Sequence, residues 1–515
     1  MKSKESLLKR FAQKDQEIVK GDPKAVQKQH ERSRLTARER ISLLLDPGTF
    51  VEVFRFSESQ CNEFGMDEAK RPTDGVICGY GTIEGTRVFV FAQDRTVLNA
   101  SVGGVHGEKI AHTIESANKA AVPCICLFDS VGARIQESLD STRSVGKILF
   151  NLARASGNIP LIAAIMGTCA GVAAYSPALS DLVLMVKGTH LFITGPQVVK
   201  ATLGEDVTLE ELGGADVHSQ KTGMADLIYK DDAGCLEGIK RLLQYLPSNG
   251  QAISPITDSG DDPERETHEL LDILPEDKMA PYDIREMIKI IVDRGDFLEL
   301  KPDFARNMVI GLGRLDGRTV GFVANQNLYL SGSIDIDASD KAARFVRFCD
   351  SFNIPIITIV DTLGVAVGRD QENRGILRHG AKMMYAYANS EVPKITLMLR
   401  KGYGGAKQAM CTRDLGADQV LGWPFLELVV LEAKGAVKVL YRKEIENAAD
   451  PEAMREEKMK EYEERFVGSF DAASKSFLHR AIEPKDTRRA IIQALRIYRP
   501  EDRLKNKRHH GNMPL

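Results

Sequence analysis

The chain contains the same landmarks twice, and this repetition limits the folds open to it more than any other feature. Arg285-Glu286-Met287-Ile288 through Asp293-Arg294-Gly295-Asp296-Phe297-Leu298-Glu299 repeats Arg38-Glu39-Arg40-Ile41 through Asp46-Pro47-Gly48-Thr49-Phe50-Val51-Glu52 at an offset of 247. Val309-Ile310-Gly311-x-Gly313 repeats Val76-Ile77-x-Gly79-x-Gly81 near an offset of 233. Pro355 to Asp361 repeats Pro123 to Asp129 at 232, and Pro393 and Gly404 repeat Pro160 and Gly171 at 233. The fall from 247 to 233 puts about 14 extra residues between Glu52 and Val76 of the first copy. Two unrelated domains of similar rhythm would not hold so steady a spacing, so the chain reads as two copies of one domain. Pro, Gly, Ser and Asp dominate between the copies, as in Asp258-Ser259-Gly260-Asp261-Asp262-Pro263. The expected boundaries are 1–250 with a helical arm over 1–35, a linker at 251–280, and a second domain over 281–515.

Within each copy, short apolar runs alternate with segments of helical spacing. Val76 to Gly81, Val88 to Ala92, Val122 to Phe128 and Ile159 to Met166 read as strands. Lys109 to Ala120, with Ile110, Ile114 and Ala117 on one face, and Ile148 to Ala155 read as helices. Thr36 and Glu39 fit a capping box. Val392 to Leu399 reads as a buried strand, followed by a turn at Lys401-Gly402-Tyr403-Gly404-Gly405 and a helix from Ala406. The alternation predicts ββα and βα units in an α/β fold.

Composition narrows the function classes. A net charge of −3 gives no nucleic-acid signal. No apolar run approaches the roughly 18 residues of a membrane span, and Met1 to Lys20 lacks the apolar core of a signal peptide. The eight cysteines are scattered, with no C-x-x-C pair, which suggests a cytoplasmic protein without disulfides or zinc. The basic stretch Arg503 to His510 is expected to be a solvated charge run.

Each copy has two matching turns after apolar strands: Asp129 to Arg134 with Cys169 to Ala173, and Asp361 to Ala366 with Gly402 to Ala406. A strand, a Gly-rich turn and a helix start leave unpaired backbone N–H groups that can hold a phosphate or a developing oxyanion. Ligands in open α/β folds bind beyond the carboxyl ends of strands, so one anion-stabilising site per copy is expected. No nucleophile–base set accompanies these turns. Ser130 and Ser176 lack a G-x-S-x-G setting, His106, His190 and His379 are isolated, and no H-E-x-x-H, Walker A or dinucleotide fingerprint occurs.

At these motifs the chain resembles the carboxyltransferase subunits of biotin-dependent acyl-CoA carboxylases, transcarboxylases and decarboxylases. The resemblance runs from Leu35-Thr36-Ala37-Arg38-Glu39-Arg40 to His510-Gly511-Asn512-Met513-Pro514-Leu515. It includes Gly132-Ala133-Arg134-Ile135-Gln136-Glu137, Phe192-Ile193-Thr194-Gly195-Pro196, Arg378-His379-Gly380-Ala381-Lys382 and Arg413-Asp414-Leu415-Gly416-Ala417-Asp418. It implies two tandem ClpP/crotonase-like domains, usually in a hexamer, with the acyl-CoA site mainly on the first copy and the biotin site on the second. The N–H groups of Gly171 and Val172 would hold the thioester enolate, and those of Gly405 and Ala406 the ureido oxygen of biotin. Gly132, Ala133, Arg134, Ala173, Gly364, Val365, Gly404, Lys407 and Gln408 would contact substrate, with no metal. Biotin would arrive on a separate carrier protein, because Ala381-Lys382-Met383-Met384 only superficially resembles a biotinylation signal. The other implied partner is a biotin carboxylase subunit or, in the alternative reading as the α subunit of a sodium-pumping decarboxylase, a membrane subunit. An inactive CoA-binding scaffold is a second alternative.

The departures from the family pattern cluster at the turns. Val131 and Val172 stand where the family has glycine, the Asp361 loop lacks the family's prolines and Phe, and Lys407 replaces a Tyr. A β-branched residue at position 172 would be strained if that position needs φ > 0. Lys407 and Gln408 suggest an acyl group larger or more polar than propionyl, such as one with a distal carboxylate.

Overall fold

The computed structural model describes residues 3–466, 468–504 and 509–514. The chain divides into two compact units, one reaching Ala252 and taking back His509–Pro514, the other starting at Ile253. Residues 505–508 of the basic stretch lie outside the described residues.

The first unit is built on eight strands: β1 Val51–Val53, β2 Val76–Ile83, β3 Thr86–Gln93, β4 Cys124–Ser130, β5 Leu161–Ala170, β6 Leu182–Val186, β7 His190–Phe192 and β8 Leu227–Tyr229. Their order is β1-β2-β3-β4-β5-β6-β8, with β7 pairing beside the end of β5. β1 to β3 are antiparallel and the remaining pairs parallel. The second unit repeats every step with β9 Phe297–Leu300, β10 Met308–Leu315, β11 Arg318–Asn325, β12 Ile356–Thr362, β13 Lys394–Tyr403, β14 Gln419–Gly422, β15 Glu427–Val429 and β16 Arg480–Ala481. In each sheet the β4-type strand is buried at every residue, as expected of a central parallel strand covered on both faces. Helices Gly104–Ala120 and Ser138–Ala155 pack together in the first unit, and Ile336–Ser351 and Ile376–Asn389 do so in the second. Phe91, Ile110, Cys126, Leu161 and Ile165 sit at the centre of the first core, and Phe322, Ile357, Leu397, Leu421 and Trp423 at the centre of the second.

Strand register sharpens the repeat. Glu52 lies opposite Gly79 and Glu299 opposite Gly311. Gly79 and Gly311 are 232 apart, so β2 and β10 align at 232 rather than 233, and the first copy carries 15 extra residues rather than 14. Two strands also run further than their apolar cores suggest. β5 continues through Gly167 to Ala170 and β13 through Lys401 to Tyr403, because β7 and β15 supply ladder partners there. The turns therefore begin at Gly171 and Gly404.

The capping box at Thr36 and Glu39 forms. The arm contains helices Lys4–Lys20 and Pro23–His30. Much of the segment between the copies is irregular but fastened to the second unit: the Thr267 N–H and hydroxyl donate to Lys485 O at 2.8 and 3.0 Å.

Candidate functional site

In the first unit two turns meet at the carboxyl ends of β4 and β5. The register slips after Phe128, and Ser130 pairs with Cys169. Ser130 Oγ donates to Ala100 O at 2.6 Å and accepts from the Gly132 N–H at 3.1 Å. Gly132 has φ +98°, and a Cβ there would lie 2.7 Å from Ala170 O, so only glycine lets this turn close onto β5. The same position lies 3.9 Å from Gly171 N, which puts both turns at one corner. Ala133 is exposed and bridges to Val102.

Gly171 follows with φ +74° and open space around it. It opens a 3-10 turn, Gly171–Ala174, that leads into helix Tyr175–Ala178. Val172 has a negative φ, so the anticipated strain is absent: Gly171 takes the left-handed position and Val172 does not. Gly171 and Val172 are half-buried and Ala173 is buried behind them. The first N–H groups of a helical turn have no intrahelical acceptor, and those of Gly171 and Val172 donate to no other segment among the described residues.

Arg134 departs from its expected role as a ligand contact. It is 2% exposed, and all five of its N–H groups have acceptors. Nε donates to Ser101 Oγ at 3.1 Å, Nη1 to Asp74 Oδ1 and Glu137 Oε1 at 2.7 Å each, and Nη2 to Ser101 O at 2.7 Å and Asp74 O at 3.5 Å. Burial raises the Asp74 pKa against the pull of Arg134. Arg134 thus braces the Gly132 turn from behind.

The second unit repeats the plan with different surroundings. The Gly364 N–H donates to Thr362 Oγ1 at 3.2 Å, and Val365 bridges to Ile334. Gly404 has φ +57° and starts helix Gly404–Ala409. Gly405 is exposed, with nothing near a Cβ built on it, whereas Ala406 is fully buried. Lys407 is half-buried and donates to Val429 O at 3.4 Å. No carboxylate pairs with it among the described residues, and burial lowers its pKa. The Gln408 side-chain oxygen accepts from the Thr412 hydroxyl.

Behind each pair of turns sits a buried aspartate. Asp129 accepts from Arg40 Nη1 at 3.1 Å, and Arg40 Nε also reaches Asp232 at 2.8 Å. Asp361 accepts from Arg400 Nε at 2.9 Å and from the Tyr282 hydroxyl at 2.8 Å. These networks were not singled out from the sequence. Their signal was an exchange between the copies: Arg40 corresponds to Met287, and Gly167 to Arg400. The isolated histidines have structural partners. His106 is fully buried, its pKa lowered to about 3 by desolvation; His190 meets Glu210, and His379 meets Asp340. Lys382 pairs with Asp340 at 3.0 Å inside helix Ile376–Asn389. No cluster of three or more metal-ligating side chains occurs among the described residues.

Residues 28–513 match the carboxyl transferase domain family. The chain belongs to this family. The chain is 46% identical over 513 residues to the propionyl-CoA carboxylase carboxyltransferase subunit of Haloferax mediterranei, covering 99% of both chains. It is 47% identical over 494 residues to the methylmalonyl-CoA carboxyltransferase 12S subunit of Propionibacterium freudenreichii, covering 96% of this chain and 94% of the relative. It is 45% identical over 496 residues to the α subunit of methylmalonyl-CoA decarboxylase from Veillonella parvula, covering 96% of each. The solved structure of transcarboxylase 12S, described as a hexamer with methylmalonyl-coenzyme A and methylmalonic acid bound, superposes with a TM-score of 0.95 at 46% identity, covering 100% of this chain and 99% of that one. The two units of this carboxyl transferase therefore have the crotonase-like fold, and the chain is an enzyme of carboxyl transfer.

Proposed function

We propose that the chain moves a carboxyl group between carboxybiotin and the α-carbon of a short acyl-CoA of the propionyl/methylmalonyl class. The observation that carries this reading is the duplicated turn: a left-handed glycine, Gly171 or Gly404, followed by N–H groups at a helix start. Gly171 and Val172 would hold the oxyanion of a thioester enolate, and Gly405 and Ala406 the ureido oxygen. Gly132, Ala133 and Ala173 would line the first site, and Gly364, Val365, Gly404, Lys407 and Gln408 the second. Carboxybiotin would supply the carboxyl group and, once decarboxylated, the base that takes the α-proton. Removing one hole donor costs on the order of 3–4 kcal/mol of transition-state stabilisation.

Biotin is proposed to arrive on a carrier protein, since the one lysine in a partly matching context, Lys382, is held by Asp340 within a helix. Relatives at 46% and 45% identity are named for carboxylation and for decarboxylation, so the direction would follow from the partner: a biotin carboxylase subunit or a membrane decarboxylase subunit. A cytoplasmic homo-hexamer completes the proposal, supported by the hexamer named for transcarboxylase 12S. No described helix is long and apolar enough to cross a membrane.

The test is carboxyl transfer to free biotin from malonyl-, methylmalonyl- and glutaconyl-CoA by the purified chain. Biotin-dependent release of the decarboxylated ester is the expected result, and the preferred ester names the acyl group. Binding of all three esters without transfer from any would overturn the proposal in favour of a scaffold.

A further inference from the structure

The two copies brace their turns from opposite sides. In the first unit a Cβ built on Gly132 would lie 2.7 Å from Ala170 O, so the turn after β4 packs closely on the end of β5. In the second unit a Cβ built on the equivalent Gly364 meets nothing within 4 Å, and that support is missing. On the other side, β15 fills the role. Tyr403, the last residue of β13 and the one directly before Gly404, donates its buried hydroxyl to Glu427 Oε2 at 2.6 Å. Glu427 Oε1 accepts from Lys278 Nζ at 2.9 Å. The Lys278 carbonyl in turn accepts from Lys401 Nζ at 2.9 Å, and Lys401 lies opposite Glu427 in the β13–β15 ladder. One residue of the segment between the copies thus grips both strands that carry the turn. At the far end of β15, Val430 O lies 3.4 Å from a Cβ built on Gly404. Among its described residues the first copy has nothing comparable: Ala170 stands where Tyr403 does, and His190, at the position of Glu427, pairs with Glu210 instead.

We propose that Glu427 is a positioning residue for the second turn, acting through Tyr403 and tied in place by Lys278. Its carboxylate meets Tyr403 and Lys278, so it acts by fixing where β13 ends and where the Gly405 N–H points. The ion pair with Lys278 keeps a nearly buried carboxylate from standing uncompensated. The proposal rests on the carboxyl-transfer reading above.

The experiment uses the purified full chain with methylmalonyl-CoA and free biotin, and the variants Tyr403→Phe, Glu427→Gln and Lys278→Met. It reads kcat, the KM for biotin, the Kd for methylmalonyl-CoA by calorimetry, and the thermal midpoint. Small displacements of a catalytic group cost rate steeply, so Tyr403→Phe and Lys278→Met should lower kcat/KM for biotin by about tenfold to a hundredfold. The Kd for methylmalonyl-CoA should stay within about twofold, a split that general loosening of the fold would not give. Glu427→Gln, which keeps an acceptor for Tyr403, should fall between wild type and Tyr403→Phe. Lys278 is 44% exposed, so Lys278→Met keeps the test readable if Tyr403→Phe fails to fold. Biotin kinetics unchanged in a folded Tyr403→Phe or Lys278→Met chain would overturn the positioning role alone. An inactive wild-type chain would overturn the transfer reading and the positioning role with it.

Discussion

Gly171 and Val172 divide the work of the first turn: one supplies the left-handed backbone, the other only an N–H. Because φ at Gly171 is +74° and the space around it is open, Gly171→Ala should be costly through backbone strain alone, by about 1–2 kcal/mol. The relaxation that relieves that strain would turn the N–H groups, so transfer should fall by about a hundredfold. Val172→Gly should leave transfer near the wild-type rate, since Val172 is unstrained. Parallel measurement of kcat and the thermal midpoint for both variants checks this, and a rise in activity for Val172→Gly would contradict it. Lys407 offers a second prediction at this scale. A half-buried ammonium whose one partner among the described residues is a carbonyl can meet an anionic group in the second site. Lys407→Met should therefore lower kcat/KM for biotin, whose carboxylated form brings an anion to this second site, by about tenfold, in line with a charge-assisted hydrogen bond, and leave the Kd for methylmalonyl-CoA unchanged. Burial lowers the Lys407 pKa, so the charged form, and its effect on biotin with it, fades as pH rises earlier than for an exposed lysine. An unchanged kcat/KM for biotin in a folded Lys407→Met chain would remove Lys407 from the second site.

At the scale of strands and helices, the duplication was legible because strand-end glycines and aspartates cannot move without breaking a turn. The ends of β5 and β13 were not legible. Gly167-Thr168-Cys169-Ala170 and Lys401-Gly402-Tyr403 are extended only because β7 and β15, three residues each, pair with them. Nor does a single sequence reveal that Arg134 is consumed by Asp74 and Glu137, since at the 232 offset the second copy has Arg306 in place of Asp74 and Ala366 in place of Arg134. The charge exchange behind the turns could have been read from the repeat alone. In the first copy Gly167 leaves room for Asp129, whose Oδ1 would lie 1.9 Å from a Cβ there, and Arg40 compensates the carboxylate. In the second copy the arginine sits on the strand itself, as Arg400, and methionine takes the place of Arg40. Arg40→Met, which copies the second unit without its Arg400, should leave Asp129 and Asp232 underpaired and cost the first unit about 3–5 kcal/mol. The only tryptophan, Trp423, is buried in the second unit. In urea, far-UV circular dichroism should thus show an earlier first transition while Trp423 fluorescence keeps its midpoint.

At the scale of the whole molecule, the chain is not two units laid end to end in sequence. Arg503 pairs with Asp418 at 2.7 Å in the second unit, and a few residues later the chain rejoins the first. The Asn512 N–H donates to Ser156 Oγ at 2.9 Å, and its side-chain amide reaches Asp181 at 3.3 Å. Gly157, with φ +74°, must be glycine for this stretch to pass, because a Cβ there would sit 2.0 Å from His510 O. Asp181 also caps the start of β5 by accepting from the Leu161 N–H at 2.9 Å, so the returning stretch braces the strand that ends at Gly171. Deleting residues 509–515 should then lower the stability of the first unit by about 1–3 kcal/mol, the scale of hydrogen bonds such as those of Asn512. Hydrogen exchange should report the loss as faster exchange at Ser156 to Ile162, with β12 and β13 unchanged. Unchanged exchange at Ser156 to Ile162 would mean that the Asn512 contacts do not brace β5.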